Sequence, residues 1–259
     1  MSCTVLDIKE LSIGYSVKGH NKIVASDINA SLGKGELVAL VGRNGAGKST
    51  LLRTLAAYSR PLGGSVVYDG ADITTLSMRE LARKISVVLT DTSSVANMSV
   101  KELVSLGRTP YTNFMGTLTA ADRAVVEQAM ESMGITGFAQ RNISELSDGE
   151  RQKCMIAKAL AQQTLLMMLD EPTAYLDYPS KVRLMGLLKR IAADEGKCVI
   201  VSTHDVEIAL RMADKMWIMD CGKLIAGSVA ELSGSGALNA FIDDDGVCYN
   251  NEENRIEIK

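Results

Sequence analysis

Histidine is scarce in this chain: His20 and His204 are the only two. The five cysteines, Cys3, Cys154, Cys198, Cys221 and Cys248, include no Cys-x-x-Cys pair. A zinc cluster needs closely spaced ligands of these kinds, so none is expected. Scattered thiols read instead as reduced, packed side chains of a cytosolic protein. No apolar run approaches the roughly 18–20 residues that cross a bilayer. The opening residues, Met1-Ser2-Cys3-Thr4-Val5-Leu6-Asp7, lack the basic and apolar regions of a secretory leader, so none is expected. A net charge of −3 offers no general attraction to nucleic acid or anionic lipid. Any membrane role must come through a partner. Internal repeats and low-complexity tracts are also missing. What is there is an ordinary soluble composition, 46% hydrophobic and 23% charged. The 259 residues suffice for one large α/β domain or two small ones. Thirteen methionines, including the pair Met167-Met168, read as core filling rather than cofactor ligands.

The most informative stretch is Gly42-Arg43-Asn44-Gly45-Ala46-Gly47-Lys48-Ser49-Thr50. It follows an apolar run over 37–41 and precedes a helix-like run over 51–57. Strand, glycine-rich turn and helix form the context in which G-x-x-x-x-G-K-S/T is a phosphate-binding loop. Gly42, Gly45 and Gly47 let the backbone curl so that successive N–H groups, Asn44 and Ala46 among them, converge on a phosphate. The new helix adds its positive N-terminal end. In this geometry Lys48 reaches the β- and γ-phosphates, and the Ser49 hydroxyl holds Mg²⁺.

Strands are expected at 5–12, 22–31, 65–68, 85–89, 165–169 and 198–202, with a late hairpin over 215–219 and 223–227. Asp69-Gly70 reads as a tight turn. Helices are expected at 76–84, from Ser147, at 180–193 and at 206–213. Between 99 and 141 the helical spacing of Val100, Leu103, Val104, Ala124, Val125, Gln128 and Met133 marks a helical block inserted into the sheet-forming chain. This alternation predicts an α/β core with a mainly parallel central sheet. Residues 235–259 are acidic and Asn-rich, with one strand-like run near 255–258.

Two further segments carry chemistry. Leu165-Leu166-Met167-Met168-Leu169-Asp170-Glu171-Pro172 is an apolar strand ending in two acids. It places Asp170 at the carboxyl edge of the sheet, positioned to hold Mg²⁺ opposite Ser49. Glu171 is expected on the other side of the strand, free to orient or deprotonate a water. Buried acids of this kind are costly unless a cation or a proton transfer uses them. In Leu146-Ser147-Asp148-Gly149-Glu150, Ser147 and Glu150 form a capping box at a helix start. The same N-terminus, with Gly149, is also a second anion site.

These segments, in this order and with His204 in Val201-Ser202-Thr203-His204-Asp205, resemble the nucleotide-binding subunit of an ATP-binding cassette (ABC) transporter. The resemblance runs from about residue 5 to 227. It implies a P-loop NTPase fold: a RecA-like core, an antiparallel N-terminal β subdomain and an inserted helical subdomain near 92–160. The cassette would span 1–230, with a tail at 231–259. It also implies a head-to-tail dimer in which Ser147, Gly149 and Glu150 of one copy contact the γ-phosphate bound by the other. Glu171 becomes the catalytic base and His204 the residue that holds the γ-phosphate and the water. Asp177, in Ala174-Tyr175-Leu176-Asp177, belongs to the loop that links the two sites. Tyr15 stands where the family stacks an aromatic ring on adenine.

Two positions depart from the family pattern. Thr90 occupies the place of a Gln that touches Mg²⁺; its side chain is shorter, and Asp91 or a bridging water is the alternative contact. Asp148 replaces the second Gly of LSGGQ and is expected to face away from the γ-phosphate. Leu103 to Tyr111 contains a G-R-x-P-Y segment similar to the subfamily that energises uptake of ferric siderophores, haem or cobalamin, although Pro110 also reads as a helix stop. The resemblance implies an ATPase on the cytoplasmic face of the cell membrane. Its partners are an integral-membrane permease and, indirectly, a substrate-binding protein, and no nucleic acid. The other readings are an importer for another substrate, a soluble ABC ATPase acting on DNA or the ribosome, and a regulatory ATP-binding module. Coiled-coil insertions, a second cassette and a basic stripe, which would favour the DNA or ribosome reading, are missing. Intact Lys48, Asp170, Glu171 and His204 argue against a module without hydrolysis.

Overall fold

A computed structural model describes residues 4–17, 20–89, 97–174 and 176–259. Its first two strands, β1 (Thr4–Val17) and β2 (His20–Gly33), pair antiparallel. Both overrun their expected spans because the inward alternation Leu6, Ile8 resumes as Leu11, Ile13 after a register shift. Glu10, at φ +48° in that shift, is the extra residue of a bulge that keeps the apolar side chains facing in. Next come β3 (Leu37–Gly42), buried along its whole length, and α1 (Lys48–Leu55). β4 (Gly63–Tyr68) returns to pair with β1, and β5 (Ala71–Asp72) follows across the expected turn. Asp69 and Gly70 both take positive φ there, as a two-residue hairpin turn requires. The result is an antiparallel sheet of order β2-β1-β4-β5.

α2 (Met78–Lys84) and β6 (Ile85–Val88) lead to the helical block of α3 (Val100–Ser105), α4 (Ala120–Ser132) and α5 (Asp148–Ala161). Within it Val100, Leu103 and Val104 are buried as expected. In α4 the inward face is Val126, Ala129 and Met130, continued by Met133, while Ala124 and Gln128 are exposed. Met133 and the half-buried Val125 match the expected face, whereas Ala124 and Gln128 do not, because the Thr119 cap sets where the helix begins and so which residues turn inward. Pro110 is not simply a stop. α3 ends at Ser105, and Pro110 lies inside a 3₁₀ turn over Leu106–Tyr111.

That turn is bolted to its neighbours by a buried cation. Arg108 Nε meets Asp122 Oδ1 at 2.9 Å, with both side chains under a tenth exposed. Its Nη1 donates to Ala161 O and Gln163 Oε1, both at 2.9 Å, and the guanidinium lies 4.1 Å from the Tyr111 ring centre. The Thr119 backbone and hydroxyl, with Arg108, hold the Asp122 carboxyl down to about 2. Hydrogen bonds beyond the ion pair itself, to Ala161 O and Gln163 Oε1 from Arg108 and from Thr119 to Asp122, are the condition under which a buried ion pair is tolerated.

The second half supplies β7 (Leu166–Asp170), α6 (Tyr178–Glu195), β8 (Cys198–Ser202) and α7 (Val206–Met212). β9 (Lys215–Asp220) and β10 (Lys223–Gly227) form the late hairpin. The central sheet runs β10-β9-β3-β8-β7-β6 and is parallel except for β10. β3, β7 and β8 read as unbroken apolar runs because both faces are covered. Val38 and Leu40 of β3 pack into the layer holding α1 and the antiparallel sheet, whereas Ala39 and Val41 face α7. Met167 and Met168 are fully buried in different clusters, in keeping with the core-filling expectation. Cys154 and Cys198 are packed, and burial pushes their thiols up to about 11 and about 12. Cys221 departs from the packed expectation: it is exposed in the β9–β10 turn.

Residues after 227 add α8 (Val229–Gly234), α9 (Ala237–Ile242) and a hairpin of β11 (Val247–Asn250) with β12 (Arg255–Ile258). β12 matches the strand-like run near 255–258, and the other elements go beyond that expectation. Leu232, Leu238, Ile242 and Tyr249 share a core with Ala209 and Leu210 of α7 and with Ala39 and Val41. Among the described residues, no helix is long and apolar enough to cross a membrane.

Candidate active site

The phosphate loop hangs between β3 and α1. Gly45 and Gly47 take φ +79° and +105°, conformations that strain any residue with a Cβ. A Cβ on Gly47 would also lie 2.5 Å from Val24, so the turn tolerates only glycine there. Asn44 and Ser49 are exposed, Ala46 and Thr50 half-buried. α1 begins without a side-chain cap or an acid in its first turn. By contrast α2, α3, α4, α5 and α8 are each closed by a capping box. The first-turn N–H groups of α1 therefore face the loop without a competing carboxylate, the arrangement that receives an anion. Lys48 is buried, and its Nζ donates to Gly42 O at 2.9 Å and Arg43 O at 3.4 Å. Burial lowers its pKa, and the nearby carboxylates Glu171 and Asp170 oppose that shift.

Those two acids come from the end of β7. Asp170 pairs in register with Ser202 of β8, and the Ser202 hydroxyl donates to Asp170 Oδ1 at 2.6 Å. Ser202 Oγ in turn accepts the Glu171 N–H at 2.8 Å. Glu171 does not project from the far side of the strand as expected. It lies just beyond β7 with φ +49°, a left-handed conformation costing a non-glycine residue on the order of 1–2 kcal/mol. That turn aims the carboxylate at His204, whose Nε2 stands 2.5 Å from Glu171 Oε1. His204 follows β8, and its turn is pinned by Asp205: the Asp205 N–H donates to Thr203 Oγ1 at 3.0 Å, and Lys181 Nζ to Asp205 Oδ2 at 3.0 Å.

One neighbourhood thus gathers Lys48, Asp170, Glu171 and His204, drawn from β3–α1, β7 and β8. Parallel strands deliver them to one sheet edge. Ser202 was missed as a functional residue. The signal that finds it is pairing register: a hydroxyl ending β8 sits opposite the acid ending β7.

The other expected residues lie elsewhere. Ser147 Oγ donates to Glu150 Oε2 at 2.7 Å and accepts the Glu150 N–H at 3.3 Å, and hydrogen bonds from Ser147 hold the Glu150 carboxyl below the usual range. Asp148 pairs with Arg151 of its own helix at 3.2 Å. Gly149 is pressed by Leu176, where a Cβ would come within 3.0 Å of a Leu176 methyl. Asp177 caps α6, accepting the Ser180 N–H at 3.0 Å. Tyr15 is exposed on β1, with Lys22 Nζ 5.6 Å from its ring centre. Thr90 and Asp91 fall outside the described residues.

The model of the ABC transporter family matches residues 25–174. The chain is 40% identical to an uncharacterized ABC transporter ATP-binding protein of Methanocaldococcus jannaschii, over 86% of this chain and 75% of that protein. It is 35% identical to the iron(3+)-hydroxamate import ATP-binding protein FhuC of Bacillus subtilis, over 87% of this chain and 82% of that one. Among solved structures, a metal-chelate type ABC transporter in an inward-facing conformation superposes with a TM-score of 0.79 at 28% identity, covering 92% of this chain and 88% of that chain. A dimeric bacterial ABC transporter cassette superposes at 0.76 and 25% identity, covering 86% and 98%.

Proposed function

The chain belongs to the ABC transporter family, and from that premise we propose that it is the ATP-hydrolysing subunit of an importer for a ferric siderophore or related metal chelate. The observation that carries this reading is the joining of Glu171 and His204 at 2.5 Å beside Lys48 and Asp170. Lys48 and the first turn of α1 bind and orient the phosphates. Glu171 takes a proton from the attacking water, and His204 holds that water and the γ-phosphate. Ser49 and Asp170 offer a hydroxyl and a carboxylate, hard oxygen donors of the kind Mg²⁺ takes, and Ser202 keeps Asp170 from swinging away. These two residues would hold the ion, which when bound neutralises charge on the phosphate oxygens. Thr90, at the place of the family's Gln, is shorter than that residue, and Asp91 or a bridging water is the alternative third contact.

Ser147, Gly149 and Glu150 complete the ATP site of a second copy, so that two nucleotides are shared across a head-to-tail dimer. The start of α5 supports this by its position: Ser147 is exposed and Gly149 and Glu150 are half-buried, within reach of a second copy. Asp177 and Leu176 link that helix start to α6, and Tyr15 offers an exposed ring to the adenine. The cassette comprises residues 1–230, with the helical subdomain near 92–160 and the tail at 231–259. It works at the cytoplasmic face of the membrane, bound to a permease that a separate binding protein supplies. The test is Glu171→Gln. Nucleotide binding should persist while turnover falls at least about 100-fold and an ATP-bound dimer accumulates on size exclusion. Full ATPase activity in that variant would sink the assignment.

A further inference from the structure

Neither the resemblance nor the mechanism above uses the C-terminal residues, yet they reach the active site. Phe241 of α9, Val247 of β11 and Ile256 of β12 wall an open cavity of about 380 Å³, and the facing wall includes Arg43, His204 and Val206. The wall is well braced. Asp243 Oδ1 accepts the Tyr249 N–H at 2.8 Å, and the Tyr249 hydroxyl bonds to Asn254. Arg255 pairs with Glu253 and Glu257. Lys259 Nζ donates to Asp244 O at 2.6 Å. Such bracing would be idle in a tail that merely hangs from the cassette.

What it grips is α7, the helix that His204 leads into. Val206, Phe241 and Ile256 pack against the cluster of Ala209, Leu210, Ile242 and Tyr249. The Val206 N–H donates to His204 O at 3.1 Å, so a shift of Val206 is a shift of the histidine backbone. On its other side the turn is held by Thr203, whose N–H donates to Leu40 O at 3.0 Å, and by the Lys181–Asp205 pair, which is partly open to water. α7 has seven residues and no side-chain cap, too short to hold its own axis without packing.

We propose that the C-terminal unit over 237–258 is a positioning element for hydrolysis: Phe241 and Ile256, acting through Val206 and α7, set the reach of His204 toward Glu171 and the reacting water. This rests on His204 acting in hydrolysis, as proposed above. Misplacing a reacting group by about 1 Å can cost a hundredfold in rate, so a partial loosening should lower kcat about tenfold without weakening phosphate binding.

The experiment uses the full chain and its two histidines, whose imidazole proton resonances are separable in a His20→Gln background. In Phe241→Ala and Ile256→Ala the His204 resonance should shift or broaden, kcat should fall about tenfold, and KM for ATP should stay within twofold. Phe241→Leu and Ile256→Val, which refill the wall, should restore both readouts. An unmoved His204 resonance with unchanged kcat in folded alanine variants overturns the proposal. So does a moved resonance with wild-type kcat. Ile256→Ala touches a half-exposed position and stays testable if Phe241→Ala fails to fold. His204→Ala run alongside separates the two levels: wild-type turnover there removes the premise, while lost turnover there with inert tail variants removes only the positioning role.

Discussion

Replacing Ser202 with alanine deletes one oxygen that serves two masters. It donates to the buried Asp170 carboxylate at 2.6 Å and accepts the N–H of Glu171 at 2.8 Å. A hydrogen bond to a charged group contributes about 1.5–3 kcal/mol and one between neutral groups about 0.5–1.5, so the two together bound the loss at about 2–4.5 kcal/mol. Two features favour the low end. Asp170 keeps the field of Lys48, and Glu171 is only half-buried, so water can reach its freed N–H. A loss of about 2 kcal/mol in a chain of this size lowers Tm by about 4–8 °C. Function should suffer separately. The Ser202 hydroxyl helps hold Glu171 at φ +49°, and without it the carboxylate can relax away from His204. kcat should then drop about tenfold, while ATP affinity changes less than about twofold because the phosphate loop is untouched. Calorimetry and steady-state phosphate release read the two effects. Ser202→Thr, which keeps the oxygen at the expense of one added methyl in a full core, should recover most of the rate. A Ser202→Ala protein with Tm within about 1 °C of wild type and unaltered kcat would refute the reasoning.

Lys48→Ala should weaken ATP binding at least about tenfold in a fluorescent-nucleotide titration, since it removes the only buried cation of the loop; unchanged affinity would contradict the phosphate-loop assignment. Arg108→Met leaves Asp122 buried without its ion partner and should destabilise the chain by about 3–5 kcal/mol in urea. Asp122 also sets a pH dependence. Its carboxyl titrates near about 2 in the folded chain against an ordinary 3.8, so its contribution is complete above about pH 4 and is lost as pH falls toward 2. Asp122→Asn should flatten the stability curve over that window, and an equally steep loss in the variant would assign the slope to other carboxylates.

Much of the site was legible because its chemistry is local in sequence. The phosphate loop spans nine consecutive residues, and their glycines report directly on a backbone that needs positive φ at Gly45 and Gly47. Asp170 announced itself as an acid ending an apolar run. Gly107 and Arg108 were legible only as a pattern. Their physical reason is contact: a Cβ on Gly107 would stand 2.3 Å from Lys158 O, and Arg108 binds residues more than fifty positions away in α5 and beyond. The full inward face of α4 and the helices of the tail were not legible, because short apolar segments acquire a buried face only from whatever they pack against.

By itself, the sequence determined the α/β class, the phosphate loop, the two acids and the order of the motifs, since each rests on residues a few positions apart. Tertiary structure alone decided that Ser202 couples Asp170 to Glu171, because that bond depends on the register of two strands separated by a whole helix. It also decided that Glu171 turns toward His204 through a left-handed backbone no motif encodes. And it brought the C-terminal hairpin against the helix that follows the histidine, a contact between segments about fifty residues apart that only the shared core could fix.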